Sequence, residues 1–492
     1  MPNAAANHRF WIDMSLECVR LDHTNPTGNQ KGPFLTARAL GMALAAPNAV
    51  YALAARRTPL LPLSPVPDMF DLTSKQRELA ACAACSELLK QRYPSLASML
   101  DTQWLNWLQS VANDQLNSAA EVLGRAVGMA IHQLGANDAR YGMGNMYAPS
   151  GLPYTHERPP TQPMQGFAGA DWGFADRLMT TRVADFPVPP GRTSATVFNV
   201  TQHYKDDFNR VKAKGGINTG TPQDTRTPAE EFIGIAWGYD GPPKLGTPPR
   251  LYMQAVLSVL DGLPGPALST EEELEIIAGV GLAMAEAGID AWYYKYAPTH
   301  MMWRPAVGIR KADAAGTTAD PKFLPLGRPD TNGRGLGLTP DFPAYPSGHA
   351  TFGAAAFELL RLYLVQKGVK TFKPDGDDKF PLDFVSDEYN GVNTEPRTQL
   401  PRDRIPVKTT SLWRAIVDNS ISRVYLGVHW QFDGLTQRNA AGTDDEFAAN
   451  TDALLPGQLG KTGGVWLGGQ IAKQVAIKLG ISAKTIADSN FT

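Results

Sequence analysis

The sequence predicts a mainly α-helical protein built from two helical bundles packed together, with long ordered loops. Apolar residues recur at helical spacing in seven long segments, most of which begin at Ser or Thr, residues that favour helix N-caps. Alternating strand patterns bounded by hairpin turns are scarce. Because amphipathic helices must bury their apolar faces against each other, bundles are the expected architecture.

The seven predicted helices cover residues 36–55, 74–92, 95–113, 118–134, 270–294, 347–365 and 411–425. Two stretches rich in Pro, Gly and polar residues separate them, at residues 141–171 and 367–410, and we expect ordered surface loops or lids there. The Pro-rich segment at residues 241–250 is the expected boundary between an N-terminal bundle, residues 1–250, and a C-terminal bundle, residues 251–492, that carries the site.

Composition and charge predict a globular protein that does not bind nucleic acid. Of its 492 residues, 43% are hydrophobic and 19% are charged, which is unlike the composition of disordered proteins. A net charge of -2 gives no basic field for a phosphate backbone. No apolar stretch is long enough to span a membrane, and the first residues lack a secretion signal, so we expect no membrane partner and a cytoplasmic or non-classically secreted protein.

The three cysteines do not form a disulfide framework. Cys18, Cys82 and Cys85 are an odd and sparse set. Cys82 and Cys85 form a C-x-x-C pattern inside a predicted helix, where buried thiols are favoured over redox or metal chemistry.

The segment PAYPSGHATFGAAAFELL is the strongest candidate for chemistry. Pro346 favours an extended approach, Ser347 can cap the next helix, and that helix begins at Gly348. A helix N-terminus presents free amides to an anion. Gly348 lets the backbone approach that anion, the Ser347 hydroxyl can donate to it, and His349 is placed to move a proton. A capped core helix without a ligand is the alternative.

A second segment, SLWRAIVDNSISRVYLGVHWQFDG, pairs a cation with a histidine. Arg423 precedes His429 by six residues, and on an unbroken helix the two side chains would point about 240° apart. We expect Gly427 to end the helix between them, so that guanidinium and imidazole reach one guest. A solvated Arg and a buried His are the alternative.

A third segment, AGIDAWYYKYAPTHMMWRP, adds Lys295 and Arg304 near the end of an apolar helix. Cations at a helix C-terminus are also favoured by the helix dipole, which is the structural alternative. Positive side chains from both segments in one pocket would repel each other. A multivalent tetrahedral oxyanion is the simplest guest that compensates them.

Together the three segments resemble the signature of the superfamily of vanadium haloperoxidases and type 2 acid phosphatases. The matching residues are Lys295 with Arg304-Pro305, then Pro346-Ser347-Gly348-His349, then Ser422-Arg423 with Gly427, His429 and Asp433. FWIDMSLECVRLDHTNPTGNQKGPFLTARALGMALA and WGYDGPPKLGTPPRLYMQ are similar to segments of the fungal-type vanadium chloroperoxidases. The likeness is discontinuous but spans nearly the whole chain.

The resemblance implies a role for each motif residue. Vanadate oxygens would be bound by Lys295, Arg304, Arg423, Ser347 and Gly348, with His429 as the axial ligand of vanadium and His349 as the acid/base. An acidic partner of the second Arg is expected at Asp240. Trp292 and Phe342 match aromatic positions that line the chloroperoxidase pocket.

One spacing departs from the family pattern. Eight residues separate Lys295 from Arg304, more than in either the chloroperoxidases or the algal bromoperoxidases. The insertion brings in Pro298 and His300, so we expect a kink or bulge in the helix, a less certain position for Arg304, and contact of His300 with the halide pocket.

The resemblance therefore implies a vanadate-dependent haloperoxidase that oxidises bromide, with chloride as the second halide to consider, using hydrogen peroxide. His349 would take a proton from peroxide and Lys295 would polarise it, and the hypohalous acid would leave or halogenate an organic acceptor. A soluble acid phosphatase with His429 as nucleophile and a non-catalytic oxyanion-binding protein are the alternatives. The chloroperoxidase-like N-terminal half and the apolar lining favour the haloperoxidase. Halide preference, acceptor and homo-oligomerisation stay open.

Overall fold

The computed structural model describes residues 7–64, 68–69, 71–111, 118–142, 147–217, 225–265, 267–312 and 316–491. This part of the chain is mainly helical, which confirms the predicted fold class. Its first helices are α1 (His8–Thr24), α2 (Pro33–Ala54), α3 (Ser74–Arg92), α4 (Ala97–Ser110), α5 (Ser118–Gln133), α6 (Asp138–Gly142), α7 (Gln202–Lys214), α8 (Pro228–Ala236) and α9 (Pro248–Asp261).

The helices continue with α10 (Thr270–Tyr296), α11 (Pro305–Gly308), α12 (Gly348–Gln366), α13 (Leu412–Tyr425), α14 (Gln431–Gly434), α15 (Gly464–Lys478) and α16 (Ala483–Asp488). Two short antiparallel pairs join β1 (Leu382–Phe384) to β2 (Val407–Thr409) and β3 (Gln437–Arg438) to β4 (Asp445–Glu446). None of the described helices has the length and the apolar character that crossing a membrane requires.

Helix α10 forms the centre of the core and packs against both α2 and α12. Its middle is buried all round, as expected for a helix that is apolar on every side. The α2–α10 crossing is close at Gly41, where an added Cβ would lie 2.5 Å from the carbonyl oxygen of Gly281. Helix α12 in turn packs against α13 and α15, so the start of α12 lies within reach of the ends of α10 and α13.

Each predicted helix is present, but nine of the sixteen described helices were not predicted. The four longest of these nine are α1, α7, α9 and α15. Helix α7 is mostly polar, and Pro248 and Pro249 open α9, where the first turn tolerates them. Helix α15 contains Gly468, where a Cβ would lie 2.2 Å from the carbonyl oxygen of Thr351 on α12. Its glycines, which lower helix propensity, are thus needed for close packing.

One further prediction from the sequence changes in detail. The segment 367–410, expected to be a loop, contains β1 and β2, which pair across it. Such three-residue strands are too short for an alternating pattern to stand out. The expected domain boundary at residue 250 lies in the first turn of α9 and stays a prediction, and the end of the helix predicted over 95–113 lies outside the described residues.

The three cysteines are free and buried, as the interpretation of C-x-x-C as core thiols requires. Cys85 Sγ lies 3.7 Å from the carbonyl oxygen of Trp11 and contacts Ser15. Burial raises the pKa of Cys18 and Cys82 well above the usual value and that of Cys85 to about 12, which keeps these sulfurs protonated and unreactive.

Candidate active site

The ends of α10 and α13 and the start of α12 meet at one buried site. All seven residues that the motifs predict for it lie there and are buried: Lys295, Arg304, Ser347, Gly348, His349, Arg423 and His429. The predicted end of the helix before His429 is also present, because α13 stops at Tyr425 and Gly427 adopts a φ of 69°. This left-handed conformation favours glycine.

Asp433 holds His429 in one orientation. Nδ1 of His429 lies 2.9 Å from Oδ2 of Asp433, and the same oxygen accepts the backbone N–H of Trp430 at 2.9 Å. Because Oδ2 is the acceptor, Nδ1 carries the ring proton and Nε2 keeps its lone pair. Burial, reinforced by the nearby Arg304, lowers the pKa of His429 well below its usual value. The site thus presents Nε2 of a neutral imidazole, the form that binds metals.

Arg304 spans the gap between His429 and the segment before α12. Its Nη1 lies 2.9 Å from Nε2 of His429 and donates to the carbonyl oxygen of Val428 at 2.8 Å. Its Nε donates to Phe342 at 2.9 Å and its Nη2 to Pro343 at 3.4 Å, both to carbonyl oxygens. Burial lowers the pKa of Arg304 to about 9, which still leaves the guanidinium charged at neutral pH.

Lys295 donates to three backbone carbonyls in the same segment. Its Nζ lies 2.9 Å from the oxygen of Pro343 and 3.2 Å from that of Ala344, and it also donates to Pro346. Burial lowers the pKa of Lys295 well below its usual value, with Arg304 adding to the effect. Three carbonyl acceptors nevertheless match the three N–H donors of the ammonium form, so we assign a positive charge here.

The long spacing between the two cations is absorbed outside the helix. Helix α10 continues to Tyr296, so the expected kink or bulge is not present before Lys295. The extra residues form a turn in which the N–H groups of His300 and Met301 both donate to Ala297, each at 2.9 Å. Lys295 and Arg304 still share the carbonyl oxygen of Pro343, so the insertion does not separate them.

The expected contact of His300 with the halide pocket is wrong. Nε2 of His300 lies 2.9 Å from the carbonyl oxygen of Phe186, and its ring stacks on that of Phe186 with centroids 5.9 Å apart. The same turn that absorbs the insertion directs this side chain away from His429, and His300 is absent from the lining of the cavity over the site.

Arg423 and Asp240 form the ion pair that the family resemblance implies. Nη1 and Nη2 of Arg423 lie 3.1 and 2.8 Å from the two carboxylate oxygens of Asp240. The Arg423 side chain is 0% exposed and the Asp240 side chain 5%. This two-point contact fixes the plane of the guanidinium. Within the described part of the chain, the buried Nε of Arg423 has no hydrogen-bond partner and is a donor left for a guest.

The start of α12 supplies the remaining polar groups. The Ser347 N–H donates to the carbonyl oxygen of Asp433 at 2.7 Å, and its hydroxyl caps the helix by accepting from Ala350. Nε2 of His349 lies 2.7 Å from the carbonyl oxygen of Gly238. Because a carbonyl only accepts, Nε2 carries the proton and Nδ1 is the basic nitrogen. Burial, with Arg423 as the next cause, lowers the pKa of His349 to about 3.

A cavity of about 450 Å³ opens over these groups. Gly348, His349 and His429 line it, together with the predicted aromatic residues Trp292 and Phe342. The rings of Trp292 and Phe342 lie 4.7 Å apart, and Nζ of Lys295 lies 5.1 Å from the centre of the Phe342 ring. The aromatic wall therefore lies directly beside the cations, as the sequence leads us to expect.

Two residues of the site escaped the sequence analysis. Phe352, one turn into α12, lines the cavity with its ring 6.1 Å from that of Trp292. Asp207 on α7 accepts the backbone N–H groups of Gln431 and Phe432 and so fixes the start of α14, just after His429. Asp207 lies in a mostly polar stretch of sequence, and nothing in that stretch indicates that its carboxylate binds a distant backbone segment.

The charges of the site select for an anion. The buried cations are Lys295, Arg304 and Arg423, and the buried carboxylates are Asp240 and Asp433. Burial raises the pKa of Asp433 to about 8. With both histidines neutral, at least one positive charge is therefore in excess, and the N-terminus of α12 adds a partial positive charge. An oxyanion with several acceptor oxygens would compensate this excess and accept the free donors.

Comparisons with known proteins agree with this geometry. Residues 275–444 match the family model described as the VCPO second helical-bundle domain. The chain is 30% identical over 494 residues to the vanadium chloroperoxidase of Curvularia inaequalis, covering 87% of this chain and 79% of the relative. A bacterial vanadium-dependent iodoperoxidase has the same fold, with a TM-score of 0.66 at 20% identity over 95% of this chain and 96% of the other. A bacterial vanadium-dependent chloroperoxidase follows with a TM-score of 0.59 at 13% identity, over 96% of each chain.

Proposed function

Because the chain belongs to the vanadium haloperoxidase family, we propose that it binds vanadate beside His429 and oxidises a halide with hydrogen peroxide to hypohalous acid. The observation that carries the proposal is the lone pair on Nε2 of His429, which Asp433 orients towards three buried cations. A single neutral imidazole that faces several cationic donors suits a metal oxyanion. The imidazole supplies one nitrogen ligand, and the cations balance the negative charge of the oxygens.

The residues present fit vanadate. Nε2 of His429 would bind vanadium in place of its contact with Nη1 of Arg304. The oxygens would be held by Arg304, Arg423, the Ser347 hydroxyl and the Gly348 amide, and by Lys295 in exchange for one of its three carbonyl contacts. The unpaired Nε of Arg423 fits an acceptor oxygen. At Gly348, an added Cβ would lie 3.3 Å from the Trp292 ring, so a side chain here would crowd the aromatic wall. When bound, vanadate supplies a Lewis acid that activates peroxide without changing oxidation state.

His349 is the proton acceptor in this proposal. Its ring is neutral, its Nε2–H is held by Gly238, and its Nδ1 is free to take a proton from hydrogen peroxide entering the cavity. The low pKa of His349 belongs to the protein without an anion, and a bound oxyanion beside it would raise its proton affinity. Lys295 and Arg304 stabilise the negative charge that develops as that proton leaves.

The halide is proposed to approach along Trp292 and Phe342. The Phe342 ring lies 5.1 Å from both Nζ of Lys295 and Cζ of Arg304. A halide that has lost its water shell would contact the ring edges there and would lie close to the two positive charges. We propose bromide as the first halide to assay. Chloride is the harder test, because it is the more difficult of the two to oxidise.

The proposal is tested by loading the protein with vanadate and measuring bromide oxidation by peroxide. Activity that depends on vanadate, and that is absent from protein loaded with phosphate, is the expected result. No bromide or chloride oxidation after stoichiometric vanadate binding would overturn the proposed activity.

A soluble acid phosphatase remains the second candidate, since the same donors fit phosphate and the oriented Nε2 of His429 suits a nucleophile. Hydrolysis of nitrophenyl phosphate with and without vanadate separates the two. Vanadate inhibits a phosphatase and activates a haloperoxidase. We favour the haloperoxidase because the cavity wall at Trp292 and Phe342 is aromatic.

A further inference from the structure

The cavity over the site is larger than its small reactants require. Its volume is about 450 Å³, within the range of about 300–1,000 Å³ that holds small organic ligands. Peroxide and a halide each occupy roughly the space of one or two waters, or about 30–60 Å³ each. Even with an oxyanion at His429, space for an organic molecule is left.

The buried end of this cavity is aromatic on one side. Trp292, Phe342 and Phe352 form that wall, with the Trp292 ring 4.7 Å from Phe342 and 6.1 Å from Phe352. His349 and His429 lie at the same buried end. A flat ring placed against the wall would be held by stacking and by burial of apolar surface beside the reacting groups.

The outer part of the cavity carries two cations with little compensation. Lys31 and Arg328 both line it and are part-exposed. Nζ of Lys31 donates to the carbonyl oxygen of His23 at 3.1 Å, and Nη1 of Arg328 donates to that of Asp240 at 3.1 Å. Neither forms an ion pair with a carboxylate anywhere in the described ranges of the chain. Both therefore keep donors for a ligand.

Carboxylates near Lys31 and Arg328 have to be counted against these two positive charges. Asp341 also lines the cavity, and burial raises the pKa of this carboxyl above its usual value, with the nearby Arg328 acting in the opposite direction. Asp22 lies near Lys31 but accepts the backbone N–H groups of Asn29 and Gln30 at 2.6 and 2.9 Å. Asp240 lines the cavity as well but is paired with Arg423. Of the lining carboxylates this leaves Asp341 to face the two cations Lys31 and Arg328, an excess of one positive charge.

We propose that this cavity binds the organic acceptor of halogenation, and that the acceptor is an electron-rich aromatic compound with one anionic group, such as a phenolic carboxylate. The ring lies against Trp292, Phe342 and Phe352, and the carboxylate is held by Lys31 and Arg328. This inference rests on the proposed function for its source of hypohalous acid. In the transfer, the ring carbon forms a bond to the halogen, the halogen–oxygen bond breaks, and the ring proton leaves with the hydroxide as water.

Binding is measured directly, without peroxide, by calorimetric titration of the vanadate-loaded protein. The probes are 4-hydroxybenzoate and its neutral counterpart 4-hydroxybenzyl alcohol, which share the phenol ring. We expect the carboxylate to bind about fivefold more tightly or better, the size of effect that part-exposed charge pairs give. Equal affinity for the two probes, or no binding of either, would overturn the proposal.

Variants assign the preference to the two cations. Lys31→Gln and Arg328→Gln are each expected to remove most of the preference for the carboxylate, while retained binding of the neutral probe reports that the cavity is still folded. Lys408→Gln is the matched control, because Lys408 is exposed and pairs with Asp383 on the distant β1–β2 hairpin. A preference that survives both variants would contradict the assignment.

Product analysis during turnover is a second measurement, and it tests this inference separately from the proposed function. With both probes present, the enzyme is expected to favour the carboxylate more strongly than free hypobromite does. The same product ratio as free hypobromite would mean that halogenation occurs in solution and would overturn the inference. Absence of bromide oxidation overturns the proposed function instead, and the titration without peroxide still decides whether the anionic aromatic binds.

Discussion

Nη1 of Arg304 lies 2.9 Å from Nε2 of His429. The cation and the nitrogen that we propose as the vanadium ligand are thus in direct contact, although they lie 125 positions apart along the chain. Arg304 is also held by three backbone carbonyls and His429 by Asp433, so each side chain has contacts that would keep it in place when a guest displaces the contact between them. This preorganisation of donor and ligand is what binding of a metal oxyanion requires.

Asp433→Asn tests the orientation of His429. The amide accepts less strongly from Nδ1 and permits the other ring tautomer, so we expect vanadate affinity to fall about 10–100-fold. Equilibrium dialysis with vanadate measures the change. Asp452→Asn is the control, because the Asp452 side chain is 86% exposed and pairs only with Arg414 among the described ion pairs. Equal loss in both variants would rule out the orienting role.

Arg304→Lys tests the guanidinium geometry. A lysine cannot reach the carbonyls of Phe342 and Val428 and the guest at once. We expect vanadate to bind about tenfold more weakly or worse, as for loss of a hydrogen bond to a charged group. Arg397→Lys, at a part-exposed surface pair with Glu231 and Glu395, serves as the control. Unchanged vanadate affinity in Arg304→Lys would show that charge alone suffices.

His349→Gln separates binding from turnover. The glutamine keeps a donor to Gly238 but has no basic nitrogen, so vanadate binding is expected to stay within about threefold while bromide oxidation falls about 10²–10⁴-fold. Dialysis and a steady-state assay on the same preparation give both values. Full activity in this variant would remove His349 from the proton transfer, and loss of binding together with activity would give it a structural role.

Gly468→Ala tests the packing of α15 on α12. The new Cβ would lie 2.2 Å from the carbonyl oxygen of Thr351, so the two helices must move apart. We expect a loss of about 1–3 kcal/mol in the free energy of unfolding, as for overpacked cores. Gly166→Ala, where nothing lies within 4 Å of the added Cβ, should leave the unfolding midpoint in urea nearly unchanged. Equal midpoints for both variants would refute the close approach.

The candidate site could largely be predicted from the sequence because its residues lie at helix ends. Ser347 and Gly348 follow a proline, and Gly427 ends α13, so local signals fix where the backbone turns towards the guest. The pairing of Asp240 with Arg423 joins residues 183 apart. No local rule predicts that pair, and the family resemblance supplied it.

The remainder depends on contacts between distant segments. Phe352 is one of many apolar residues on a buried helix, and only the crossing of α10 and α12 makes it part of the cavity wall. Lys31 and Arg328 are remote in sequence from the motifs and reach the same cavity only in the folded chain. The missed helix α15 has glycines where α12 approaches it, so packing overrides their low helix propensity.

The most direct test of the central claim is a crystal structure of the protein grown with vanadate. We expect vanadium bonded to Nε2 of His429, with its oxygens in contact with Lys295, Arg304 and Arg423. Vanadate bound elsewhere, or held by the cations without a bond to His429, would contradict the assignment of this histidine as the ligand.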